Sequence, residues 1–232
     1  MSHAVTLPFV VEATGGPKPL VATIETAVIA GWTGRDKAAM EHHMVELEAI
    51  GIKRPSSTPV YYRVGCARLT SRDAIEASGE DSSGEVEAVL IQAGGETYVG
   101  LGSDHTDRKV EAYGIAVSKQ MCDKPIGRNV WPFAEVAPHW DELKLRSYAQ
   151  GPGPKRLYQE GKVSAMLPTA DLIKGFTKGV NRLPEGTLMF CGTLPAIGGI
   201  KSAQSFTLEL EDPILKRTLR HTYRVLPLPI AG

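Results

Sequence analysis

The sequence predicts an α+β fold with a large β component, formed by one domain over residues 1–232. Short runs rich in β-branched and aromatic residues recur along the chain between turn residues, a pattern typical of strands. Few stretches repeat apolar residues at helical spacing, so the predicted strands outnumber the predicted helices. The two kinds of element do not alternate regularly, which is typical of the α+β class. Neither an internal repeat nor a linker divides the chain, and this favours the single domain.

The composition is that of a globular protein with balanced charge. The chain is 42% hydrophobic and 22% charged, and it has 26 basic and 26 acidic residues. The absence of a long basic block argues against a generic nucleic-acid or membrane-surface binder. Cys66, Cys122 and Cys191 form no CxxC pair, so they indicate neither a disulfide framework nor a zinc ribbon. With no signal-like N-terminus and no long apolar run, we expect a cytoplasmic protein.

The strand predictions come from apolar runs bounded by turn residues. The predicted strands cover residues 5–11, 20–32, 59–70, 85–92, 96–102, 141–149, 188–195 and 205–228. The first two form a hairpin or meander, and glycines after residue 93 join the fourth strand to the fifth. Residues 71–84 are polar and rich in glycine and serine, so we predict an exposed loop there.

Three segments are predicted to be helical. The first begins after Asp36, a capping residue, and repeats apolar residues at helical spacing up to residue 50. The second covers residues 107–121 despite Gly114, and the third covers residues 169–180 with Thr169 as its cap.

Glu85 and Glu87 open the apolar run "EVEAVLI". Side chains two residues apart on a strand project to the same face, so both carboxylates can point at one object. Two like charges beside a core cost free energy unless a cation neutralises them, and a hard cation prefers such oxygen ligands. The pair therefore indicates a metal site or, alternatively, the solvated end of a strand.

Asp104 and Arg108 lie in the polar cluster "GSDHTDR", directly after a predicted strand. Asp104 could supply a third carboxylate to the same site, and Arg108 could bind an anionic substrate through two hydrogen bonds. The alternative is an Asx turn or helix cap whose charges face solvent. The cluster assigns no role to His105 or Asp107.

His43 and Glu46 are three residues apart on the first predicted helix and therefore share a face. A histidine oriented by a carboxylate can act as a general base on water. The alternative is a partly buried structural histidine beside a surface glutamate. Further along the chain, Lys119 could contribute a cation, and the glycine-rich loop after residue 190 could present backbone N–H groups to an anion.

Taken in order, these segments resemble the fumarylacetoacetate hydrolase superfamily. That family carries a helical His-x-x-Glu, a Glu-x-Glu, an Asp-x-x-x-Arg, a lysine before Pro-x-Gly and a late Gly-Thr-Pro loop. The matching segments here are "HMVE" (His43, Glu46), "PSSTP" (Pro55 to Pro59), "EVE" (Glu85, Glu87), "DHTDR" (Asp104, Arg108), "SKQMCDKPIG" (Lys119, Lys124) and "GTLP" (Gly192, Thr193). Each motif alone is unspecific, but the colinear set extends from about residue 28 to residue 225.

The resemblance implies mixed β-sheets rolled into a β-barrel-like core with a few peripheral helices, in a chain that forms homodimers. It implies that Glu85, Glu87 and Asp104 bind a divalent cation, usually Mg²⁺ with Mn²⁺ or Ca²⁺ as alternatives. It further implies that His43 and Glu46 activate water, that Lys119 lies near the substrate, and that Arg108 and Thr193 line the substrate site.

Departures from the family pattern leave the substrate open. His105, Thr106 and Asp107 replace the small residues usual after the aspartate, and the late loop reads Gly-Thr-Leu-Pro. The spacing also leaves open whether Lys119 or Lys124 is the family lysine.

The main hypothesis is a metal-dependent hydrolase that cleaves a carbon–carbon bond in a dioxo acid or acylpyruvate-like substrate through a metal-stabilised enolate. One alternative is a decarboxylase, hydratase or tautomerase of a 2-oxo acid that uses the same metal. Another is a non-catalytic protein that binds a small carboxylate metabolite on the same scaffold.

Overall fold

A computed structural model describes residues 3–49, 54–55 and 57–231 of the protein. Within these residues the chain forms seventeen strands, five α-helices and three 3-10 segments. The strands are β1 (Val5–Ala13), β2 (Gly16–Ile24), β3 (Thr26–Gly31), β4 (Val60–Val64), β5 (Leu69–Thr70), β6 (Ala74–Ser78), β7 (Ser82–Ser83), β8 (Val86–Ala93), β9 (Glu96–Ser103), β10 (Thr106–Asp107), β11 (Lys124–Pro125), β12 (Asn129–Pro132), β13 (Lys144–Gln150), β14 (Arg156–Lys162), β15 (Thr187–Phe190), β16 (Ser205–Asp212) and β17 (Arg217–Leu228). The helices are α1 (Lys37–Ala49), α2 (Arg108–Glu111), α3 (Ile115–Met121), α4 (Phe133–Val136) and α5 (Thr169–Phe176), and the 3-10 segments are Cys66–Arg68, Ala137–Glu142 and Val163–Ala165.

Two mixed sheets form the body of the molecule. The larger has eight strands in the order β2-β1-β12-β9-β8-β15-β3-β4, and the smaller has five in the order β14-β13-β16-β17-β6. Two short strand pairs, β10 with β7 and β11 with β5, lie outside these sheets. The larger sheet curls into a half barrel, as the resemblance implied.

Strand β8 is central to the larger sheet and is buried on both faces. Ala88 and Leu90 pack into one hydrophobic cluster, which also contains residues of the smaller sheet such as Phe206. Val89 and Ile91 pack into a second cluster on the opposite face. Because successive side chains of a strand point to opposite faces, burial on both sides explains the continuous apolar run.

Several predicted elements are confirmed. Strands β1 and β2 form the first hairpin, and β8 and β9 form another through a turn at Gly94 and Gly95, whose φ angles are 60° and 82°. Helix α1 begins after Asp36, whose Oδ1 accepts a hydrogen bond from Ala38 N over 2.9 Å.

The predicted loop at residues 71–84 is wrong in part. It contains β6, which pairs in parallel with the end of β17, and β7, which pairs with β10. Ile75 and Ala77 alternate with exposed neighbours as a half-buried strand requires, but the strand that β6 pairs with lies far away in the sequence. Strand β14 was also not predicted.

Two helix predictions also need correction. The segment 107–121 is two helices, because Gly114 adopts an extended conformation between α2 and α3. Pro168 occupies the N-cap position of α5, so Thr169 is the first helical residue rather than the cap. None of the helices within the described residues combines the length and apolarity needed to cross a membrane.

Candidate metal centre

Three carboxylates from the β8–β9 hairpin meet at one point. One ligand atom from each of Glu85, Glu87 and Asp104 lies within 4.8 Å of the others. Glu85 precedes β8 and Glu87 is its second residue, so their side chains project to the same side. Asp104 follows β9, which runs antiparallel to β8, and Asp104 N donates a hydrogen bond to Glu85 O over 3.0 Å. The hairpin register therefore brings the third carboxylate beside the first two.

The three carboxylates, which we call the acidic triad, differ in exposure. Asp104 is completely buried and Glu87 is 2% exposed, whereas the Glu85 side chain is 18% exposed. Because buried like charges repel strongly, the triad requires compensating positive charge.

Lys119 supplies part of that charge from the last turn of α3. Its Nζ donates a hydrogen bond to Asp104 Oδ2 and lies 3.4 Å from Glu85 Oε2. Lys124 Nζ lies 3.2 Å from the other oxygen of Asp104 and donates to the His105 carbonyl over 2.5 Å. Both lysines considered from the sequence therefore contact the acidic triad, and Lys119 is the one that bridges two of its members.

The pKa values reflect these contacts. Burial, followed by repulsion from Asp104 and Glu85, raises the pKa of Glu87 well above its ordinary value. Burial alone would also raise the pKa of Asp104, but attraction to Lys119 and Lys124 outweighs it and the net shift is downward. Burial lowers the pKa of Lys119, but Asp104 and Glu85 outweigh it and the net shift is upward. Asp104 and Lys119 thus form an ion pair, while the raised pKa of Glu87 reflects its burial beside two other carboxylates.

The donor set of the acidic triad fits a hard divalent cation. All three side chains offer carboxylate oxygens, which suit Mg²⁺, Mn²⁺ or Ca²⁺. The buried Asp104 Oδ1 has the Lys124 ammonium at 3.2 Å, so the fit to a cation rests on the oxygen donor set itself. The acidic triad can therefore hold a divalent cation.

Arg108 lies beside the triad, and its guanidinium group contacts three side chains. Its Nη2 contacts Glu85 Oε1 at 3.0 Å, its Nη1 contacts Glu111 Oε2 at 2.9 Å, and its Nε donates to Ser83 Oγ over 2.7 Å. These contacts orient Glu85. The substrate-binding role predicted for Arg108 stays a prediction.

Thr193 fixes the β8 backbone in the same region. Its hydroxyl donates to Val86 O over 2.9 Å and accepts from Gln159 Nε2 over 2.9 Å. Gln159 Oε1 also accepts from Val86 N over 2.9 Å. The preceding loop residue, Gly192, donates its N–H to Glu87 Oε2 over 2.6 Å. Sequence reasoning missed Gln159 because it lies on the unpredicted strand β14.

His105 and Asp107 also have positions in this structure. Asp107 Oδ1 accepts a hydrogen bond from Val110 N over 2.9 Å and so caps α2. His105 is completely buried between Ser82 and Tyr223. Burial, with repulsion from Lys124 and Arg108, lowers the pKa of His105 to about 3, so the imidazole is neutral at physiological pH.

Arg108 also lines a cleft of about 920 Å³. Arg108, Lys109, Arg156 and Lys201 line it together with a single acidic residue, Asp81. The three acidic-triad carboxylates are not among its lining residues. Within the described residues, Lys109, Arg156 and Lys201 make no ion pair. The cleft is therefore locally basic in a chain whose net charge is zero.

Comparison with known proteins identifies the family. Residues 30–223 match the family model described as "Protein of unknown function (DUF2848)", which covers most of the chain. The chain belongs to the DUF2848 family. A comparison with curated protein sequences finds no match.

Solved structures place the DUF2848 chain in a wider fold group. A candidate fumarylpyruvate hydrolase from Burkholderia cenocepacia has a TM-score of 0.65 at 15% identity, covering 95% of this chain and 92% of that one. A yeast fumarylacetoacetate hydrolase family protein has a TM-score of 0.60 at 14% identity, covering 90% and 96%. A 2-keto-3-deoxyarabinonate dehydratase has a TM-score of 0.61 at 17% identity, covering 89% and 75%. The fold is that of the fumarylacetoacetate hydrolase superfamily, as the sequence resemblance predicted.

His43 and Glu46 lie on α1, whose backbone extends from Lys37 to Ala49. Their side chains lie outside the described part of the structure. The proposed water-activating pair therefore stays a prediction from the sequence.

Proposed function

We propose that this DUF2848 protein is a divalent-metal-dependent hydrolase that cleaves a carbon–carbon bond in a dioxo acid or acylpyruvate-like substrate. The observation that carries the proposal is the convergence of Glu85, Glu87 and Asp104 within 4.8 Å, with Lys119 against two of them. A site of three carboxylates and one lysine combines a cation-binding donor set with a fixed positive charge. Such a combination serves substrates that accumulate negative charge during reaction.

Glu85, Glu87 and Asp104 are the residues that would hold the cation. When bound, a divalent cation supplies Lewis-acid stabilisation of the negative charge that develops on substrate oxygens. Lys119 holds its buried ammonium group against Asp104 and the partly exposed Glu85 and adds a second positive charge.

His43 and Glu46 supply the general base in this proposal. His43 accepts a proton from water as the water oxygen bonds to the acyl carbon of the substrate. The carbon–carbon bond then breaks, and its electron pair passes to the 2-oxo acid fragment, which is subsequently protonated. The products are a carboxylic acid and a 2-oxo acid such as pyruvate, so no other reactant is needed.

The basic cleft supports a small anionic substrate. Lys109, Arg156 and Lys201 make it electropositive, and a cleft lined with one sign of charge attracts ligands of the opposite sign. Arg108 lies between this cleft and Glu85. A carboxylate substrate would therefore approach the acidic triad along a favourable potential.

The proposal is tested by thermal unfolding with and without Mg²⁺ or Mn²⁺, together with release of pyruvate from a panel of acylpyruvates. A cation that binds the folded state raises the unfolding midpoint, and we expect Glu85→Ala to reduce that shift. Glu111→Ala is the matched control, because it also removes an acidic partner of Arg108 but lies outside the acidic triad. If neither cation raises the wild-type midpoint, the metal-dependent function is wrong.

A second candidate is a lyase or isomerase of a 2-oxo acid at the same site. It is favoured by one observation, the position of Lys119 against Asp104 and Glu85, because a lysine there can serve proton transfer or charge stabilisation without an activated water. A similar fold also occurs in 2-keto-3-deoxyarabinonate dehydratase. Turnover of a 2-oxo acid that survives His43→Ala would favour this candidate over the hydrolase. A metal-binding chain that turns over neither substrate class would be a metabolite-binding protein.

A further inference from the structure

The buried imidazole of His105 has two hydrogen-bond partners, and both are hydroxyl groups. Its Nε2 lies 2.8 Å from Ser82 Oγ and its Nδ1 lies 3.0 Å from Tyr223 Oη. The ring also makes an edge contact with Phe206, at 5.9 Å between centroids. His105 follows Asp104 directly, so any shift of the ring is transmitted to a member of the acidic triad.

The hydrogen bonds continue from Tyr223 to the other end of the triad. Tyr223 Oη lies 2.9 Å from Ser103 Oγ, and Ser103 Oγ accepts the backbone N–H of Glu85 over 3.1 Å. Gly84 makes room for this arrangement, because a Cβ at that position would lie 2.3 Å from Tyr223 Oη. The result is a continuous chain from Glu85 through Ser103 and Tyr223 to His105.

The donors and acceptors allow the chain to run in either direction. The Glu85 N–H can only donate, so Ser103 Oγ accepts from it in both cases. With the Nε2–H tautomer of His105, the Ser103 and Tyr223 hydroxyls donate toward Nδ1, Nε2–H donates to Ser82 Oγ, and the Ser82 proton has no acceptor among these contacts. With the Nδ1–H tautomer the direction reverses, and the Ser103 proton is the one without an acceptor. Both tautomers therefore keep Glu85, Ser103, Tyr223 and His105 connected.

We propose that His105 is a positioning residue, whose imidazole anchors a hydrogen-bond chain that holds the backbone of Glu85 and Asp104 in the geometry needed to bind a cation. Asp104 N also donates to Glu85 O, and Lys124 donates to His105 O, so backbone and side-chain contacts reinforce each other. The part of the inference that concerns cation affinity rests on the proposed function. The part that concerns the hydrogen-bond chain does not.

The test compares Tyr223→Phe with Tyr158→Phe. Both tyrosines are buried, and each packs against Phe206 with 5.7 Å between ring centroids. The Tyr158 hydroxyl, however, accepts from Lys201 N over 3.2 Å, outside the chain. We expect the Kd for Mn²⁺, measured by isothermal titration calorimetry, to rise roughly tenfold in Tyr223→Phe and to stay unchanged in Tyr158→Phe.

A measurement on the metal-free protein decides the hydrogen-bond chain independently of cation binding. Amide hydrogen exchange at Glu85 should be faster in Tyr223→Phe than in Tyr158→Phe. Ser103→Ala should have the same effect on exchange and replaces Tyr223→Phe if that variant does not fold.

Equal exchange at Glu85 in the two tyrosine variants would overturn the hydrogen-bond chain. Equal Mn²⁺ affinity in the two variants would overturn the positioning of the cation site. A wild-type protein that binds no Mn²⁺ would instead refute the proposed function, while the exchange result would still decide the hydrogen-bond chain.

Discussion

Gly192 donates its backbone N–H to Glu87 Oε2 over 2.6 Å, so a glycine in a late loop holds a buried carboxylate of the candidate metal centre. Gly192 has φ +101°, a conformation that side chains other than glycine rarely adopt. A Cβ on Gly192 would lie 1.8 Å from Thr33 Oγ1, and Thr33 is itself buried. The absence of a side chain at Gly192 therefore permits the close approach of this loop to Glu87.

Gly192→Ala should destabilise the protein by about 3 kcal/mol or more, because it combines backbone strain with a clash against Thr33. Gly199→Ala is the matched control, since Gly199 has φ +82° but open space around its Cα, and it should cost about 1 kcal/mol. Urea unfolding at equilibrium measures both values. If both variants lose the same free energy of unfolding, the clash with Thr33 contributes nothing to the destabilisation by Gly192→Ala.

Lys119→Met should destabilise the metal-free protein by about 3 kcal/mol, because it removes the positive partner of two carboxylates in a buried site. Mn²⁺ should then raise the unfolding midpoint more in Lys119→Met than in the wild type, since the cation replaces the lost charge. Lys109→Met is the control, because Lys109 is exposed and makes no ion pair within the described residues. If Mn²⁺ raises the unfolding midpoint by the same amount in Lys119→Met and in the wild type, Lys119 and the cation are not electrostatically coupled.

Glu87 should make the metal-free protein less stable as pH rises above 4.5, the ordinary pKa of a glutamate, whereas His105, whose pKa is lowered to about 3, acts in the opposite sense up to its ordinary pKa of 6.5. The folded-state pKa of Glu87 is raised, so between 4.5 and that raised pKa the folded state holds a proton that the unfolded state has released. One such proton changes the free energy of unfolding by about 1.4 kcal/mol per pH unit. Asp104 acts in the opposite sense, because its pKa is lowered and its contribution is lost as pH falls below 3.8.

Urea unfolding in the presence of EDTA, at several pH values from the acid range to neutrality, measures this dependence. Above pH 4.5, the free energy of unfolding of Glu87→Gln should rise relative to that of the wild type, because the amide holds no proton to release, whereas for the exposed Glu80→Gln the difference from the wild type should stay constant. Parallel curves for the wild type and Glu87→Gln would show that Glu87 does not titrate in this window.

His43→Ala should remove acylpyruvate hydrolysis while leaving Mn²⁺ affinity unchanged, because the proposed base is not one of the cation ligands. His42→Ala is the matched control, since His42 is the neighbouring histidine on α1. Steady-state pyruvate release and calorimetric Mn²⁺ titration provide the two readouts. Full hydrolytic turnover in His43→Ala would exclude His43 as the base.

Much of the fold could be predicted because the patterns that specify those strands and helices lie within short stretches of the sequence. The hairpin of β8 and β9 follows from two apolar runs joined by Gly94 and Gly95, and α1 follows from a capping aspartate and helical periodicity. Strand β6 could not be predicted from residues 71–84, because it pairs with the end of β17, about 150 residues later in the chain. Polar composition indicated a loop, but pairing with a distant strand overrode that local preference.

The candidate site likewise has a part that local sequence patterns predict and a part that depends on tertiary contacts. The sequence by itself determined that Glu85 and Glu87 project to one side, since a strand has a period of two. The family resemblance carried by the order of the motifs implied Asp104 as the third carboxylate and left open whether Lys119 or Lys124 is the site lysine. Only the tertiary structure decided that Lys119 bridges two carboxylates, that Gly192 holds Glu87, and that His105 joins Tyr223 beneath the site. These contacts connect residues far apart in the chain, and no local pattern records which distant side chains meet when the two sheets pack.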